Sequence, residues 1–164
     1  MARLALFCHS LRSDWNHGNA HFLRGVVSEL GRREIAVRAF EPEDGWSARN
    51  LAADLGPSAL AAWRAVYPDL RVITYDQATL DLDRALDQVD VVLVHEWNDA
   101  ALIARLTARR RGGARTLLLF HDTHHHRMAS APDQMERLDR DGFDGVLAFG
   151  EALSEAYRRP CRPI

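Results

Sequence analysis

Four of the eight histidines in this 164-residue chain fall within six positions, in the segment HDTHHH at residues 121–126. Imidazole binds metals and, because its ordinary pKa is ~6.5, also acts as an acid or a base near neutral pH. The segment follows the apolar run TLLLF, so we expect His121 and Asp122 at the end of a buried strand. This position favours a site residue at His121 over a core histidine that only hydrogen-bonds to backbone.

The histidine-rich segment has three interpretations: a metal site, a catalytic site, or a loop with no chemical role. Zinc requires three or four converging ligands. Here these would be His121, Asp122 and one of residues 124–126, joined by His95 or Glu96 from a neighbouring loop. Side chains alternate along an extended segment, so we expect at least one of the three successive histidines to face solvent. We assign no metal ligand, and a metal-dependent hydrolase that uses this cluster stays open as an alternative.

The segment NHGNA, which begins at Asn16, is typical of a helix start, where free backbone N–H groups bind phosphates or hydroxyl groups. The candidate binding residues here are Asn16, His17, Gly18 and Asn19. Asn16 serves equally well as a helix N-cap. His17 and His21 are four residues apart, and they either share a helix face as ligands or both face solvent. The G-x-G-x-x-G fingerprint of dinucleotide binding is absent.

Two tryptophans, Trp46 and Trp97, each lie in a segment that follows a predicted strand. An indole ring at such a position either stacks on the face of a sugar or packs over the end of the strand. Both interpretations stay open from the sequence alone.

Six short apolar runs alternate with helical patterns along the chain. Four of them are nearly continuous, which is typical of strands covered on both faces. Repetition of strand, helix and strand implies a parallel sheet with right-handed crossovers. We therefore predict an α/β fold, a doubly wound Rossmann-like parallel sheet of about six strands. The runs are LALFC from Leu4, IAVRAF from Ile35, LRVITY from Leu70, VDVVLV from Val89, TLLLF from Thr116 and DGVLAF from Asp144.

Two amphipathic helices are predicted from apolar residues at helical spacing, one around residues 23–30 and one around 102–106. The second ends in RRRGG, which places cations at the helix C-terminus and glycine where a left-handed cap is needed. A peripheral contact between the same arginines and anionic lipid stays open as an alternative. Shorter helices are predicted at 58–66, 79–87, 132–140 and 150–158.

The unusual residues concentrate after the predicted strands. Seven of the eight histidines and three of the four tryptophans lie in these segments, whereas the opposite loops hold ordinary solvated residues. In open α/β sheets, ligands bind outside the carboxyl ends of the strands. We therefore predict a polar, aromatic-lined site along one edge of the sheet.

Composition places the chain among ordinary globular domains, with 47% hydrophobic and 27% charged residues. We predict one domain over residues 1–157 and an irregular tail over 158–164.

The net charge of −2 gives no basic excess, so nucleic acid is not a predicted partner. No apolar stretch approaches the ~20 residues of a membrane span. Without a secretory signal or a disulfide framework, we expect a cytoplasmic protein with reduced thiols at Cys8 and Cys161.

Taken together, these segments resemble the N-terminal domain of bacterial glycosyltransferases of the family 4-like, GT-B group. The resemblance extends over nearly the whole chain and depends on the order and spacing of its motifs. The motifs are HSLRSDWNHGNAHFLRGVVSEL from His9, EPEDGWSARNL from Glu41, DVVLVHEWND from Asp90, LLFHDTHH from Leu118 and DGVLAFGEALSEAY from Asp144.

The resemblance implies the N-terminal half of a GT-B architecture, in which two Rossmann-like domains face each other across a cleft. It implies retaining transfer of a sugar from a nucleotide-sugar to a sugar or glycan acceptor, with no obligatory metal and no cofactor besides the nucleotide-sugar substrate. The first domain shapes the acceptor side, and the second holds the donor. Because the second domain would be absent here, we expect weak or no transfer by this chain alone. We also expect self-association through the exposed interdomain face.

The resemblance also implies roles for individual residues. His121 occupies the position of a histidine beside the reacting sugar and is the predicted catalytic residue. The loop that contains Gly18 would approach the donor phosphates and the acceptor, although the family's frequent glycine pair is reduced here to this one glycine. The predicted binding residues are Asn16, His17, Gly18, Asn19, Trp46, His95, Glu96, Trp97, Asp122, His124 and His125.

Two alternatives to the glycosyltransferase stay open. One is the metal-dependent hydrolase, which would use residues 121–126. The other is a non-catalytic module, in which the aromatic rim binds a glycan or a partner protein.

Overall fold

The computed structural model describes residues 2–13, 18–123 and 142–158. Each of the six apolar runs forms a strand, as predicted. The strands are β1 (Arg3–Phe7), β2 (Ala36–Pro42), β3 (Val72–Tyr75), β4 (Val91–His95), β5 (Leu117–Asp122) and β6 (Gly145–Ala148). They form one parallel sheet in the order β3-β2-β1-β4-β5-β6. The predicted α/β, Rossmann-like fold class is therefore confirmed.

Six helices are described between and after these strands. Their bounds are α1 (Gly18–Arg32), α2 (Trp46–Leu55), α3 (Ala59–Val66), α4 (Leu82–Ala85), α5 (Ala100–Arg111) and α6 (Glu151–Arg158). Five of them confirm predicted helices, and the helix predicted at 132–140 lies outside the described residues. Helix α2 was not predicted, because its buried face consists of Ser47, Ala48 and Leu51, which give only a weak apolar period.

The chain divides into two compact units, residues 1–91 and residues 92–164. In the first unit, β1 pairs with β2 and β2 pairs with β3, with Phe7 opposite Phe40 in the register. The rings of these two residues stack at 4.9 Å between centroids, and Tyr75 meets Phe7 edge to face at 6.0 Å. This aromatic cluster fills the core at the carboxyl ends of the three strands.

In the second unit, β5 pairs with β6 so that His121 lies opposite Leu147. The core here includes Val94, Leu102, Phe120 and Leu153, all fully buried. Continuous apolar strands of this kind leave no interior position for a charged group, because an unpaired charge is costly to bury. The ionisable residues therefore occur where the strands end.

Helix α5 shows how the sequence sets the ends of an element. The Asp99 carboxylate caps its N-terminus by accepting a 2.7 Å hydrogen bond from the Ala101 N–H group. At the other end, Gly113 has the positive φ of 94° that favours glycine, as RRRGG predicted. Within the described ranges, no helix has the length and apolar character needed to cross a bilayer.

Candidate functional site

The strands β4 and β5 both end in a histidine followed by an acid. His95 is the last residue of β4 and precedes Glu96, and His121 precedes Asp122 at the end of β5. All four side chains are buried, with exposed fractions between 0% and 7%. Buried ionisable residues are rare unless they are paired. A cluster of four at adjoining strand ends is therefore a candidate functional site.

The two strand ends are held together by backbone and ring contacts. The Glu96 N–H group donates a 2.8 Å hydrogen bond to the backbone oxygen of His121, which continues the ladder beyond the last residue of β4. The imidazole rings of His95 and His121 meet edge to face at 5.0 Å, with an interplanar angle of 81°. The two predicted histidines are thus direct neighbours.

Asp122 lies close enough to Glu96 to act on its pKa. The Oε1 atom of Glu96 accepts two 2.8 Å hydrogen bonds from Thr123, one from the backbone N–H group and one from the hydroxyl group. Burial, together with Asp122, raises the pKa of Glu96 to about 7, because two close carboxylates cannot both ionise easily. Glu96 therefore exchanges a proton near neutral pH.

Asp122 is the second acid of this carboxyl pair. The hydroxyl group of Tyr157, on α6, donates a 2.6 Å hydrogen bond to its Oδ2 atom, and such a donor stabilises a carboxylate. The backbone oxygen of Asp122 accepts a 2.9 Å hydrogen bond from Phe149. Sequence reasoning missed Tyr157 and Thr123, and no local motif marks either residue.

His95 is fixed by the turn that follows β4. The Trp97 N–H group donates to its Nδ1 atom at 3.3 Å, which assigns the ring proton to Nε2. The Nε2 atom lies 3.5 Å from the Thr123 hydroxyl oxygen. The backbone oxygen of His95 accepts two hydrogen bonds from Asn98, one of them from the side-chain amide at 2.8 Å. The imidazole therefore has a set position beside the carboxyl pair.

Two opposing effects act on the pKa of His121. Burial lowers its pKa below the ordinary value, and the negative charge of Asp122 acts in the opposite direction. Burial is the larger effect, so the imidazole is neutral at physiological pH. A neutral imidazole offers one hydrogen-bond donor and one acceptor, as required for orienting a hydroxyl group or moving a proton.

The other predicted site residues have varied positions. Trp97 is exposed beside the cluster, in the turn after β4, and Trp46 is exposed in the first unit, where it begins α2. Gly18 begins α1 and is exposed, whereas Asn19 is buried. The remaining candidates lie outside the described residues, namely Asn16, His17, His124 and His125.

The first unit contains a buried acid that sequence reasoning missed. Glu41, near the end of β2, is fully buried, and its Oε2 atom accepts a 2.9 Å hydrogen bond from Nε of Arg12. Burial raises the pKa of Glu41 despite this ion pair.

Burial and Glu41 together raise the pKa of the Cys8 thiol. Cys8 is a free, buried thiol and is protonated at neutral pH, which makes it a poor nucleophile.

Among the described residues, no group of three or more histidine, cysteine or acidic side chains is arranged to hold a metal ion. The metal-dependent hydrolase needs residues 124–126, which lie outside the described part of the chain, so it stays a hypothesis.

Comparison of the chain with protein-family models, curated proteins and solved structures finds no match in any of the three.

Proposed function

We propose that the chain is the acceptor-side domain of a retaining GT-B-type glycosyltransferase, and that the ends of β4 and β5 form the sugar-facing wall of its site. One observation carries the proposal. Two adjoining strands of a parallel α/β sheet end in buried histidine–acid pairs, at the edge where such sheets bind ligands. The sequence resemblance independently points to His121 as the residue beside the reacting sugar.

The chemistry of the cluster suits a polyhydroxylated ligand. A neutral His121 can donate one hydrogen bond and accept another. Glu96, with a pKa of about 7, is present in both protonation states near neutral pH. Sugar hydroxyl groups are themselves donors and acceptors, so both residues can match them without a net charge on the ligand.

The charge of the cluster also fits the reaction. Glycosyl transfer passes through an oxocarbenium-like state with positive charge on the sugar, and a preorganised negative charge stabilises it. The Asp122 carboxylate, held by Tyr157, supplies that charge. The same carboxylate disfavours a phosphate at this position, so the nucleotide diphosphate would be bound elsewhere.

In the proposed architecture a second domain binds the nucleotide part of the donor. These 164 residues by themselves would then bind a sugar or glycan but transfer it slowly, because that second domain stabilises the leaving phosphate. The face toward the second domain would favour self-association when uncovered.

Saturation-transfer NMR with a panel of nucleotide-sugars and free glycosides tests the proposal. We expect at least one sugar to receive saturation from the protein, and His121→Ala to abolish the effect. The matched control is Leu147→Ala. Leu147 lies opposite His121 in the register with β6 and is 48% exposed. If no sugar in the panel binds, or if binding survives in His121→Ala, the proposed function is wrong.

A further inference from the structure

The first unit contains a cavity of about 320 Å³ bordered by residues of α1, α2 and α3. Its volume is within the range of small-molecule sites. Its lining includes the apolar side chains of Leu51, Leu55, Ala59 and Val66. The same lining contains His21 and one arginine, Arg24. The cavity thus combines a hydrocarbon surface with one guanidinium group.

Arg24 is 5% exposed, although its guanidinium group is always charged. Within the described ranges, no carboxylate forms an ion pair with it. Glu41 lies near enough for its pKa to be affected by Arg24, but Glu41 is already paired with Arg12. Because a buried charge is costly unless it is paired, this guanidinium favours the binding of an anion.

The hydrogen bonds of Arg24 leave capacity for such a ligand. Nε donates to the Leu11 oxygen at 2.9 Å, and Nη2 donates to the backbone and hydroxyl oxygens of Ser13 at 2.9 and 3.3 Å. Among the residues that the structure describes, Nη1 donates only to the Tyr67 hydroxyl group, at 3.4 Å. A guanidinium has five N–H groups, so one N–H on Nη1 has no acceptor among the described residues.

A second donor in the lining also lacks an acceptor among the described residues. Trp63 is 8% exposed, and its indole Nε1 atom makes no hydrogen bond within the described part of the chain. The guanidinium carbon of Arg24 lies 5.9 Å from the centre of this ring and 4.6 Å from that of Tyr67. Trp63 and Tyr67 therefore hold the cation in place by cation–π contacts, and Trp63 retains a spare N–H group.

We propose that this cavity binds a small organic monocarboxylate with an apolar body. The carboxylate would accept hydrogen bonds from Arg24 and from the Trp63 indole, and the hydrocarbon part would contact the leucine and valine side chains. One guanidinium matches one negative charge, which favours a carboxylate over a doubly charged phosphate. The proposal is independent of the sugar site, because the residues of the cavity belong to the first unit and those of the sugar site to the second.

Isothermal titration calorimetry with octanoate, octan-1-ol, acetate and inorganic phosphate tests the proposal. We expect octanoate to bind more tightly than each of the other three, because it alone combines the charge with the apolar body. Equal affinity for octanoate and octan-1-ol, tighter binding of phosphate, or no binding of octanoate would each overturn the proposal.

Variants separate the charge from the shape of the cavity. Arg24→Met should weaken octanoate binding by about tenfold or more. Variants of Val66 provide a second test in case Arg24→Met does not fold. Val66 is 67% exposed, so substitutions there should preserve the fold. Val66→Glu should weaken octanoate binding about tenfold relative to the matched Val66→Gln and leave octan-1-ol binding unchanged. Equal octanoate affinity in the two Val66 variants would contradict the charge recognition proposed here.

Discussion

The hydroxyl group of Tyr157 donates a 2.6 Å hydrogen bond to Asp122, an acid whose charge contributes to the raised pKa of Glu96. The tyrosine is 35 residues from the acid it contacts. Its donor partly offsets the negative charge of Asp122, and that charge is one of the causes that raise the pKa of Glu96. A residue of α6 thus contacts the acid that acts on Glu96.

Tyr157→Phe should raise the pKa of Glu96, because the charge of Asp122, which contributes to that raised pKa, loses the donor that offsets it. The backbone amide of Thr123 donates to Glu96, so its NMR chemical shift reports this titration. We expect the midpoint to move above the wild-type value of about 7. The exposed Glu155→Gln on the same helix is the control and should leave the midpoint in place. An unchanged midpoint in Tyr157→Phe would show that the tyrosine does not set the pKa.

Glu96→Gln should alter how stability depends on pH. The pKa of Glu96 is raised from 4.5 to about 7 in the folded state, so folding is favoured by the bound proton. This contribution is fully present below the unfolded value and is lost as pH rises through about 7. The difference in free energy of unfolding between the wild type and Glu96→Gln should therefore fall by up to about 3 kcal/mol over that range.

Urea denaturation across this pH range measures that difference. The lowered pKa of His121 acts with the opposite sign, since it removes stability as pH falls below the ordinary histidine value. It contributes to both proteins and largely cancels when they are compared. A difference that stays constant with pH would be incompatible with a raised pKa at Glu96.

Asp144→Asn should destabilise the second unit. Asp144 accepts hydrogen bonds from Nε and Nη2 of Arg110 at 2.7 and 2.6 Å and from the Leu118 N–H group at 2.8 Å. The Arg110 hydrogen bond is the main cause that lowers the pKa of Asp144 to about 2. Both side chains are partly exposed, so we expect a loss of only about 1 kcal/mol, smaller at high salt.

The stabilising effect of Asp144 should be present above its ordinary pKa and disappear as pH falls toward 2. Denaturant unfolding at low and high salt checks its size, with the exposed Asp69→Asn as the matched control. Equal stability of the two variants at neutral pH and low salt would refute the role of this ion pair.

Chelation of divalent metals should leave both sugar binding and the melting temperature unchanged, since the proposed chemistry uses imidazole and carboxyl groups alone. Metal analysis of the purified protein and thermal unfolding with and without chelator measure this. Zinc in stoichiometric amount that is lost in His121→Ala would instead favour the metal-dependent hydrolase.

The strands could be predicted from the sequence because each is a nearly unbroken apolar run between polar segments. The positions of His95 and His121 at strand ends followed from the same runs. Helix α2 was not predicted, because its buried positions include a serine and an alanine and so give only a weak apolar period. Weak amphipathicity of this kind becomes visible only when the packing is known.

The carboxyl pair of Glu96 and Asp122 could not be predicted, because its contacts connect residues far apart in the chain. Thr123 reaches Glu96 across 27 positions, and Tyr157 reaches Asp122 across 35. No local pattern encodes such pairings. The raised pKa of Glu96 depends on burial and on these partners together, so it too became evident only from the structure.

Side-chain ¹⁵N NMR of the histidines, recorded while nucleotide-sugars and free hexoses are added, tests most directly whether sugar binds at the ends of β4 and β5. We predict that the ring signals of His121 and His95 shift saturably with at least one sugar. The exposed His21 on α1 should stay unchanged. Ring signals of His121 that do not respond while other parts of the chain do, or a complete lack of response, would contradict a sugar site at this cluster.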